Sequence, residues 1–263
     1  MTTGPRGAEA EAVLLDADDT VYDTRSAMYA AGRRAATALW PDADPRRLAD
    51  AGVHFRQDPE RHFTAYTRGE IAFEEMRRAR VAELAHWLGQ PVDRDWGDAF
   101  DAEYEDAFLG GLTLFPDVLP TLELLRGRGL PVGILTNSSS RYTERKMAAA
   151  GLDGAFDVVC TRDTLGYGKP EPRAYREACR RLGSRPARTL YVGDELENDP
   201  LGADDAGLRG VWLVRDGEPD ARGLRLVAAR GIPVVGSLGD LAALVGGPAD
   251  EAPGRFGEVG SSR

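Results

Sequence analysis

Short runs of apolar residues, each bounded by glycine, proline or polar residues, recur along the chain at 12–16, 131–136, 156–161, 189–194 and 210–214. Runs this brief and this rich in branched residues are typical of buried strands. Between them, the segments "PDVLPTLELLRGRGL", "RYTERKMAAAGL" and "PRAYREACRRLG" carry apolar residues at helical spacing. Strands that alternate with helices predict an α/β fold with a Rossmann-like parallel sheet, covered by helices on both faces.

The pattern changes between residues 22 and 110. There the chain shows amphipathic segments of helical period, "SAMYAAGRRAATALW", "IAFEEMRRARVAELAHWLG" and "DRDWGDAFDAEYEDAFL". We interpret 22–110 as an inserted α-helical cap domain, and 1–21 together with 111–246 as the α/β core. Because the insertion follows the first strand, both of its linkers reach the carboxyl end of the sheet, where open α/β folds hold ligands. The cap is therefore expected to act as a lid.

The segment "GGPADEAPGRFGEVGSSR" combines glycine, proline and charge without periodicity, which predicts a disordered tail over 247–263. The N-terminal stretch "MTTGPRGAEAEA" lacks the apolar core of a signal peptide, and no apolar run approaches the roughly 18 residues of a membrane span. The two cysteines, Cys160 and Cys179, form no C-x-x-C motif. These features predict a cytoplasmic protein with no membrane partner.

The chain of 263 residues has the composition of an ordinary soluble globular protein, with 42% hydrophobic and 29% charged residues. Lys plus Arg total 33 against 43 Asp plus Glu, a net charge of -10, which argues against a nucleic-acid partner. An acidic protein that binds an anion must build a locally positive site from a cation, a lysine or backbone N–H groups.

Two aspartates at the end of the first predicted strand carry the first chemical signal. Asp16 and Asp18 are two positions apart in "VLLDADDTVYD", and this spacing in extended backbone directs both side chains to the same side. One carboxylate can attack as a nucleophile, and the other can move a proton to and from a leaving oxygen. Such a pair suits phosphoryl transfer through an aspartyl-phosphate.

Attack by an aspartate on a phosphate dianion meets repulsion of about 4 kcal/mol per charge pair at the effective dielectric near a protein surface, so a cation is needed. Mg²⁺ is the expected ion, since it takes oxygen ligands from one or two carboxylates and the substrate. The run "TLYVGDELENDPLGADDAGL" ends at Gly193 and Asp194, and offers Asp199 five positions later. We expect Asp194 to ligate the metal, Gly193 to allow close backbone approach, and Asp199 to hold a metal-bound water or a lysine.

Two further segments predict the phosphate contacts. The strand "VGILTN" ends on Thr136 and Asn137, which place a hydroxyl and a backbone N–H at the same sheet edge. The segment "GYGKPEP" supplies Lys169, which the following proline keeps in extended backbone and off the next helix. A lysine there can neutralise the phosphorylated aspartate.

Together, "DADDT", "LTNSS", "KPEP" and "VGDELENDPLGADDAG" resemble, in order, the four motifs of the haloacid dehalogenase-like (HAD) hydrolase superfamily. The helical insertion resembles the cap of its subfamily I, and the resemblance extends from residue 13 to about residue 245. The set of four is highly specific, whereas D-x-D-x-T alone is only moderately so.

The resemblance implies that Asp16 is the nucleophile. It implies that Asp18 is the general acid/base, with a backbone carbonyl that also ligates magnesium, and that Asp194 binds the metal. Thr136 and Lys169 would then contact the phosphoryl group, while Asp199 resembles the second acidic position of the last motif. Asp19 stands where many relatives have glycine; aspartate tolerates unusual turn geometry, so we expect it to shape the turn. Asp23 is expected to cap the first cap helix.

The cap gives weaker signals. His54, His62 and His86 share no metal-ligand spacing, so surface or packing roles are favoured over catalysis. For the basic run with Arg77, Arg78 and Arg80, a solvated helix face is favoured over substrate contact. Arg68, near a predicted helix start, is the slightly better candidate for a substrate contact.

The leading hypothesis is a magnesium-dependent phosphatase that acts on a small phosphorylated metabolite as a monomer or homodimer. A 2-haloacid dehalogenase would use the same nucleophile, but carbon–halogen displacement leaves Asp18 without a role. A phosphomutase is a further alternative, because a closed cap can favour transfer to a second hydroxyl over water. A non-catalytic scaffold is the remaining one, against which the full set of carboxylates argues.

Overall fold

The computed structural model describes residues 9–92, 96–217 and 219–246, so residues 1–8 and the tail predicted at 247–263 lie outside the described part. The described strands are β1 Ala12–Leu15, β2 Val132–Leu135, β3 Val158–Cys160, β4 Thr189–Gly193, β5 Arg209–Leu213 and β6 Val234–Val235. The described α-helices are α1 Thr24–Leu39, α2 Pro45–Gln57, α3 His62–Thr67, α4 Phe73–Trp87, α5 Trp96–Gly111, α6 Val118–Gly127, α7 Ser140–Ala149, α8 Arg162–Leu165, α9 Pro172–Leu182, α10 Gly202–Asp205, α11 Ala221–Arg230 and α12 Leu241–Leu244. None of these described helices has the length and apolar character that a bilayer crossing requires.

All six strands run parallel in one sheet with the order β3-β2-β1-β4-β5-β6. β1 is central, and Leu15 near its end is level with Ile134 of β2 and Val192 of β4. The chain therefore builds outward from β1 in both directions. In open parallel sheets, ligands bind at the carboxyl ends of the strands where the order changes direction.

The central strand is buried on both faces. Val13 and Leu15 belong to one hydrophobic cluster, while Ala12 and Leu14 belong to a second cluster across the sheet. This alternation follows from the period of two in a strand, and helices cover each face. The predicted α/β class, with a parallel sheet covered on both sides, is thus confirmed.

The strands differ from the sequence prediction in two respects. β1, β2 and β4 end one residue earlier than the apolar runs indicated, so Asp16, Thr136 and Asp194 stand on the loops that follow. β6 was not predicted; it is a two-residue strand that pairs beside β5, too short to show a period of two.

Between β1 and β2 the described chain forms the helices α1 to α6, of which α1 to α5 fall largely within the predicted insertion. Asp23 caps α1 by accepting a hydrogen bond from the Ser26 backbone N–H at 2.9 Å, as expected. α1 and α2 approach closely, since a Cβ on Gly32 would lie 2.8 Å from the Cα of Gly52. α2 and α3 were not predicted, and the domain limits 22–110 stay a prediction.

Asp117, just before α6, joins three separated segments. Its Oδ2 accepts hydrogen bonds from Arg215 Nη1 at 2.9 Å, Ser237 Oγ at 2.8 Å and the Leu238 backbone N–H at 2.7 Å. Arg215 also donates to the carbonyl of Thr20, 2.6 Å away. Burial raises the pKa of Asp117, but the hydrogen bonds outweigh it and hold the pKa below its usual range.

We expect Asp117→Ala to lower the free energy of unfolding by about 2–4 kcal/mol at pH 7, because it leaves the largely buried Arg215 without its carboxylate partner. A carboxyl with a lowered folded pKa stabilises the fold above its unfolded pKa of about 3.9 and loses this effect as the pH falls through the folded value. The difference between the variant and wild type should therefore shrink towards pH 3. Urea unfolding across this range measures it, with Asp42→Ala, at an exposed position, as the control. An equal difference at both pH values would contradict the assignment.

Candidate active site

The predicted site residues meet at the carboxyl edge of the sheet. Asp16 follows β1, Thr136 follows β2, Asp194 follows β4, and Lys169 lies between α8 and α9. All four line one cavity of about 740 Å³, which also reaches into the helices between β1 and β2. Chain segments that are far apart in sequence thus form a single concave site.

Lys169 is the centre of this arrangement. Its Nζ lies 2.6 Å from Asp16 Oδ1 and 2.7 Å from Asp199 Oδ1, and all three side chains are buried. Burial lowers the pKa of Lys169, but the two carboxylates outweigh it and hold the pKa well above its usual range. The lysine is therefore a fixed positive charge beside Asp16.

Asp199 is held from several directions. Besides Lys169, Tyr191 Oη donates to its Oδ1 at 3.1 Å and the Glu195 backbone N–H donates to its Oδ2 at 2.8 Å. Gly193 makes this possible, because a Cβ there would lie 2.3 Å from Asp199 Cγ. Of the two expected roles for Asp199, the structure places it against the lysine.

Asn137 fixes the segment that carries Lys169. Its Oδ1 accepts from the Lys169 backbone N–H at 2.7 Å, and its Nδ2 donates to the Lys169 carbonyl at 2.9 Å. Gly168 must be small here, since a Cβ would lie 2.4 Å from Asn137 Oδ1. The Asn137 side chain is thus occupied by Lys169, which leaves the backbone N–H for the predicted phosphate contact. Thr136 Oγ1 accepts from the Ser138 backbone N–H at 3.1 Å.

Asp16, Asp194 and Asp199 each offer a carboxylate oxygen within 4.8 Å of the others. Burial raises the pKa of Asp16 to about 8, against the opposing charge of Lys169. Burial, together with the negative charges of Asp16 and Asp199, raises the pKa of Asp194 to about 9. Carboxyls that resist ionisation because they are buried and close together form a set that a divalent cation would stabilise in the charged form.

Asp18 has a partner that sequence analysis missed. Lys146 of α7 is 3% exposed, and its Nζ lies 2.6 and 2.7 Å from the two carboxylate oxygens of Asp18. Thr24 Oγ1 also donates to Asp18 at 2.7 Å. Burial raises the pKa of Asp18, but Lys146 and Thr24 outweigh it and lower the pKa overall.

A signal for Lys146 was present in the sequence. Thr143, Lys146 and Met147 are the buried residues of α7, at the i, i+3 and i+4 spacing of one helix face. A lysine on the apolar face of the helix that follows "LTNSS" points inward towards the first strand's aspartates. The position of the lysine on the buried face of the helix, and not the residue type, is what indicates a contact inside the protein.

Asp19 stands in the left-handed region with φ 58°, in line with the expected turn geometry. It accepts from the Arg25 backbone N–H at 2.7 Å and contacts the guanidinium of Arg56 in α2. Thr20 Oγ1, at the end of the same motif, donates to Asp194 Oδ1 at 3.4 Å. The "DADDT" loop is thus tied both to the helices that follow β1 and to the loop after β4.

The predicted solvated face for the arginines of α4 is wrong for two of them. Arg77 and Arg80 are 6% and 7% exposed and line the cavity, whereas Arg78 is exposed as expected. The helix turns these two arginines inward beside its apolar residues, so their charge did not indicate the solvent side. Arg68, the favoured candidate, is exposed and lies 3.9 Å from Glu70.

None of the three histidines, all of them among the described residues, lines the cavity that contains Asp16. His54 stacks on Trp87 with ring centroids 4.3 Å apart and lies 3.1 Å from Glu83. His62 Nε2 lies 3.6 Å from the other Glu83 oxygen, and His86 is exposed. Packing and surface roles, as expected, account for His54 and His86, although His54 and His62 share a partner that their spacing did not indicate.

The sequence is also similar to that of known proteins. A family model described as haloacid dehalogenase-like hydrolase matches residues 10–207. The matched range includes Asp16, Thr136, Lys169 and Asp194, which line the cavity.

Two curated proteins and one solved structure illustrate the similarity. A glyceraldehyde 3-phosphate phosphatase from Methanopyrus kandleri is 30% identical over 78% of this chain and 84% of its own length. A ribulose-1,5-bisphosphate 5-phosphatase from Halopiger xanaduensis is 33% identical over 81% of this chain and 88% of its own length. The structure of an L-2-haloacid dehalogenase has a TM-score of 0.68 at 26% identity, covering 90% of this chain and 99% of that one.

The pairing of Lys146 with Asp18 can be measured by a double-mutant cycle with Lys146→Met and Asp18→Asn. We expect a coupling free energy of about 1–3 kcal/mol in urea unfolding, because each single change leaves the other group without its oppositely charged partner. The exposed pair Arg173 and Glu171, 3.2 Å apart, serves as control with an expected coupling of about 0–0.5 kcal/mol. Equal coupling in the two cycles would show that the Lys146 contact contributes nothing special.

Proposed function

The chain belongs to the haloacid dehalogenase-like hydrolase family, and from this premise we propose that it is a magnesium-dependent phosphatase that hydrolyses a small-molecule phosphomonoester. The observation that carries the proposal is the placement of Asp16. It is buried at the end of the central strand, 2.6 Å from Lys169, with Asp18 and Asp194 lining the same cavity. An attacking carboxylate, a proton carrier and a metal ligand are thus supplied at one point.

The relatives support the choice of reaction. The two curated proteins reported above are both named phosphatases, and their names give phosphorylated small molecules as substrates. Both matches span more than three quarters of this chain. A phosphomonoester is therefore the substrate class that we carry over, while the particular metabolite differs between the relatives.

In the proposed reaction, Asp16 attacks the phosphorus atom and forms an acyl phosphate as the bond from phosphorus to the leaving oxygen breaks. Asp18, in its protonated form, gives a proton to that oxygen, and the alcohol departs. Asp18 then takes a proton from a water molecule, which attacks the acyl phosphate and releases inorganic phosphate. The contacts of Asp18 with Lys146 and Thr24 hold its carboxyl in place and favour its ionised form, which is the form that takes the proton from water in the second step.

The surrounding groups are proposed to bind the phosphoryl oxygens. Lys169 neutralises part of the charge beside Asp16, and Thr136 Oγ1 with the Asn137 backbone N–H offers donors from the next strand end. Since the Asn137 side chain and Asp199 both hold Lys169, they act by position and not by contact with substrate.

The carboxylates fit a magnesium ion. Asp16 and Asp194, with the Asp18 backbone carbonyl as the third expected ligand, supply the hard oxygen donors that Mg²⁺ prefers. Bound there, the ion supplies positive charge that offsets the repulsion between Asp16 and the phosphate. The raised pKa values of Asp16 and Asp194 support this assignment, because buried carboxyls that lie close together gain most from a cation.

The similarity to an L-2-haloacid dehalogenase suggests dehalogenation of a 2-haloacid as a second candidate activity. That reaction would use Asp16 to displace halide from carbon, which needs no proton for the leaving group. The buried lysine that holds Asp18 and the additional carboxylate at Asp194 favour the phosphatase. Halide release from 2-chloropropionate without added metal would reverse this order.

We expect Asp16→Asn to lower kcat for p-nitrophenyl phosphate with Mg²⁺ by about 10⁴-fold or more, because the amide cannot form the acyl phosphate. The measurement is steady-state release of p-nitrophenol. Asp153→Asn, at an exposed position, is the matched control and should retain wild-type activity. Near-wild-type turnover by the Asp16 variant would contradict the mechanism.

The raised pKa values of Asp16 and Asp194 predict that stability, and its increase on Mg²⁺ binding, depend on pH. With raised folded pKa values, Asp16 and Asp194 keep protons that the unfolded chain has released above about pH 4, so their contribution to stability falls as the pH rises towards 9. Mg²⁺ should offset this loss, and the rise in Tm that it causes should be larger at pH 8.5 than at pH 6, by about 5 °C or more at saturating metal.

Differential scanning fluorimetry at the two pH values, with and without MgCl₂, measures this effect without any substrate. Asp194→Asn should abolish the Mg²⁺-dependent rise, whereas Asp153→Asn should keep it. A rise in Tm that is equal at both pH values, or that survives in the Asp194 variant, would place the ion elsewhere.

A further inference from the structure

We propose that Arg77 and Arg80 form a second anion subsite, so that the preferred substrate carries a carboxylate or another phosphate besides the phosphoryl group that is removed. The inference rests on the proposed function and deepens it, since it assigns the chemistry of the leaving group. A cavity of about 740 Å³ has room for such a group beyond the phosphoryl site.

The two arginines are placed to meet a substrate. They lie three positions apart on α4, so both project from the same face of the helix. Both line the cavity that contains Asp16 and Lys169, although each is more than nine-tenths buried. The core residues and these guanidinium groups thus line the same cavity.

Their hydrogen-bonding capacity is only partly used. A guanidinium has five N–H donors. Nη2 of Arg77 donates to Asp101, and Nη2 of Arg80 donates to the carbonyl of Phe55. The Nε atom of each arginine is buried and, among the described residues, has no hydrogen-bond partner. Buried donors without partners are costly, and an anion in the cavity would offset this cost through its charge and through contacts with the remaining N–H groups of the guanidinium.

The local charge is also incompletely balanced. Asp101 is 39% exposed, so water screens its charge beside Arg77. Asp58 Oδ1 lies 3.7 Å from Arg80 Nε, but its two oxygens already accept from the backbone N–H groups of His62 and Phe63. Burial lowers the pKa of Arg80, and the charge of Arg77 lowers it further. Burial also lowers the pKa of Arg77, but Tyr142, Asp101 and Tyr104 outweigh burial and raise the pKa overall. Two adjacent buried cations therefore favour an added anion.

Aromatic rings hold the guanidinium planes in position before any ligand binds. The Arg80 guanidinium carbon is 4.2 Å from the centroid of the Phe55 ring, and that of Arg77 is 4.8 Å from the Tyr104 ring. Stacking of this kind fixes the plane of the donor group, and planar donors match carboxylate or phosphate oxygens in pairs. A purely structural role in stacking on these rings would not by itself explain why both arginines line the cavity.

Two matched pairs of substrates test the inference and distinguish the two kinds of anion. 3-Phosphoglycerate and glycerol 3-phosphate differ only in a carboxylate against a hydroxymethyl group. Ribulose 1,5-bisphosphate and ribulose 5-phosphate differ in a second phosphate. In at least one pair, wild-type enzyme with Mg²⁺ should show a kcat/KM about 10- to 100-fold higher for the member with the extra anion.

Variants then assign the preference to the subsite. Arg80→Met and Arg77→Met should bring the kcat/KM ratio of that pair close to one, mainly through a higher KM for the anionic member. Arg80→Lys should restore part of the ratio, because it keeps the charge without the paired donors. Arg78→Met, on the exposed side of the same helix, is the control and should keep the wild-type ratio.

The comparison of kcat/KM within each substrate pair for wild-type enzyme tests the anion subsite even if a variant does not fold. Equal kcat/KM values within both pairs, or a preference that survives in both methionine variants, would overturn the anion subsite while leaving the phosphatase intact. Failure of wild-type enzyme to release phosphate from all four compounds and from p-nitrophenyl phosphate would instead overturn the proposed function, and this inference with it.

Discussion

The ammonium of Lys169, shared between Asp16 and Asp199, is the interaction on which the site depends. Three carboxylates with oxygens within 4.8 Å of one another would repel strongly without a buried cation. Much of the surrounding structure serves to place that single charge, namely the Asn137 side chain on the Lys169 backbone, the missing side chains at Gly168 and Gly193, and the parallel sheet that brings three strand ends together.

The positions of several site residues were predictable from the sequence. Asp16, Thr136 and Asp194 each follow a short apolar run, and in a parallel sheet the carboxyl ends of neighbouring strands share one edge. The short apolar runs therefore predict both the α/β class and the clustering of residues that are far apart in the sequence. Lys169 was predictable for a different reason, since the glycine and proline around it give a backbone that leaves the lysine off the helix.

The residues that were missed or misjudged lie on helices. Lys146, Arg77 and Arg80 are charged residues on faces that also carry apolar side chains, whereas charge in a run of arginines by itself predicts a solvent-exposed face. Whether such a face meets water or a polar cavity depends on the packing of α4 and α7 against other elements, which the sequence of one helix does not contain. The spacing of these residues with buried Thr143, Met76 and Val81 was the available signal.

The distribution of these cations answers the problem posed by a net charge of -10. Lys169 and Lys146 belong to the segments around the sheet, whereas Arg77 and Arg80 belong to the helices inserted after β1, and all four line the same cavity. In the proposed mode, one anionic group of the substrate is bound by each part, so the substrate itself joins the two across the cavity. A substrate with a single anion would lack the second attachment. Selectivity would then come from the inserted helices, while the chemistry stays with the sheet, and the same sheet edge can serve other substrates when those helices change.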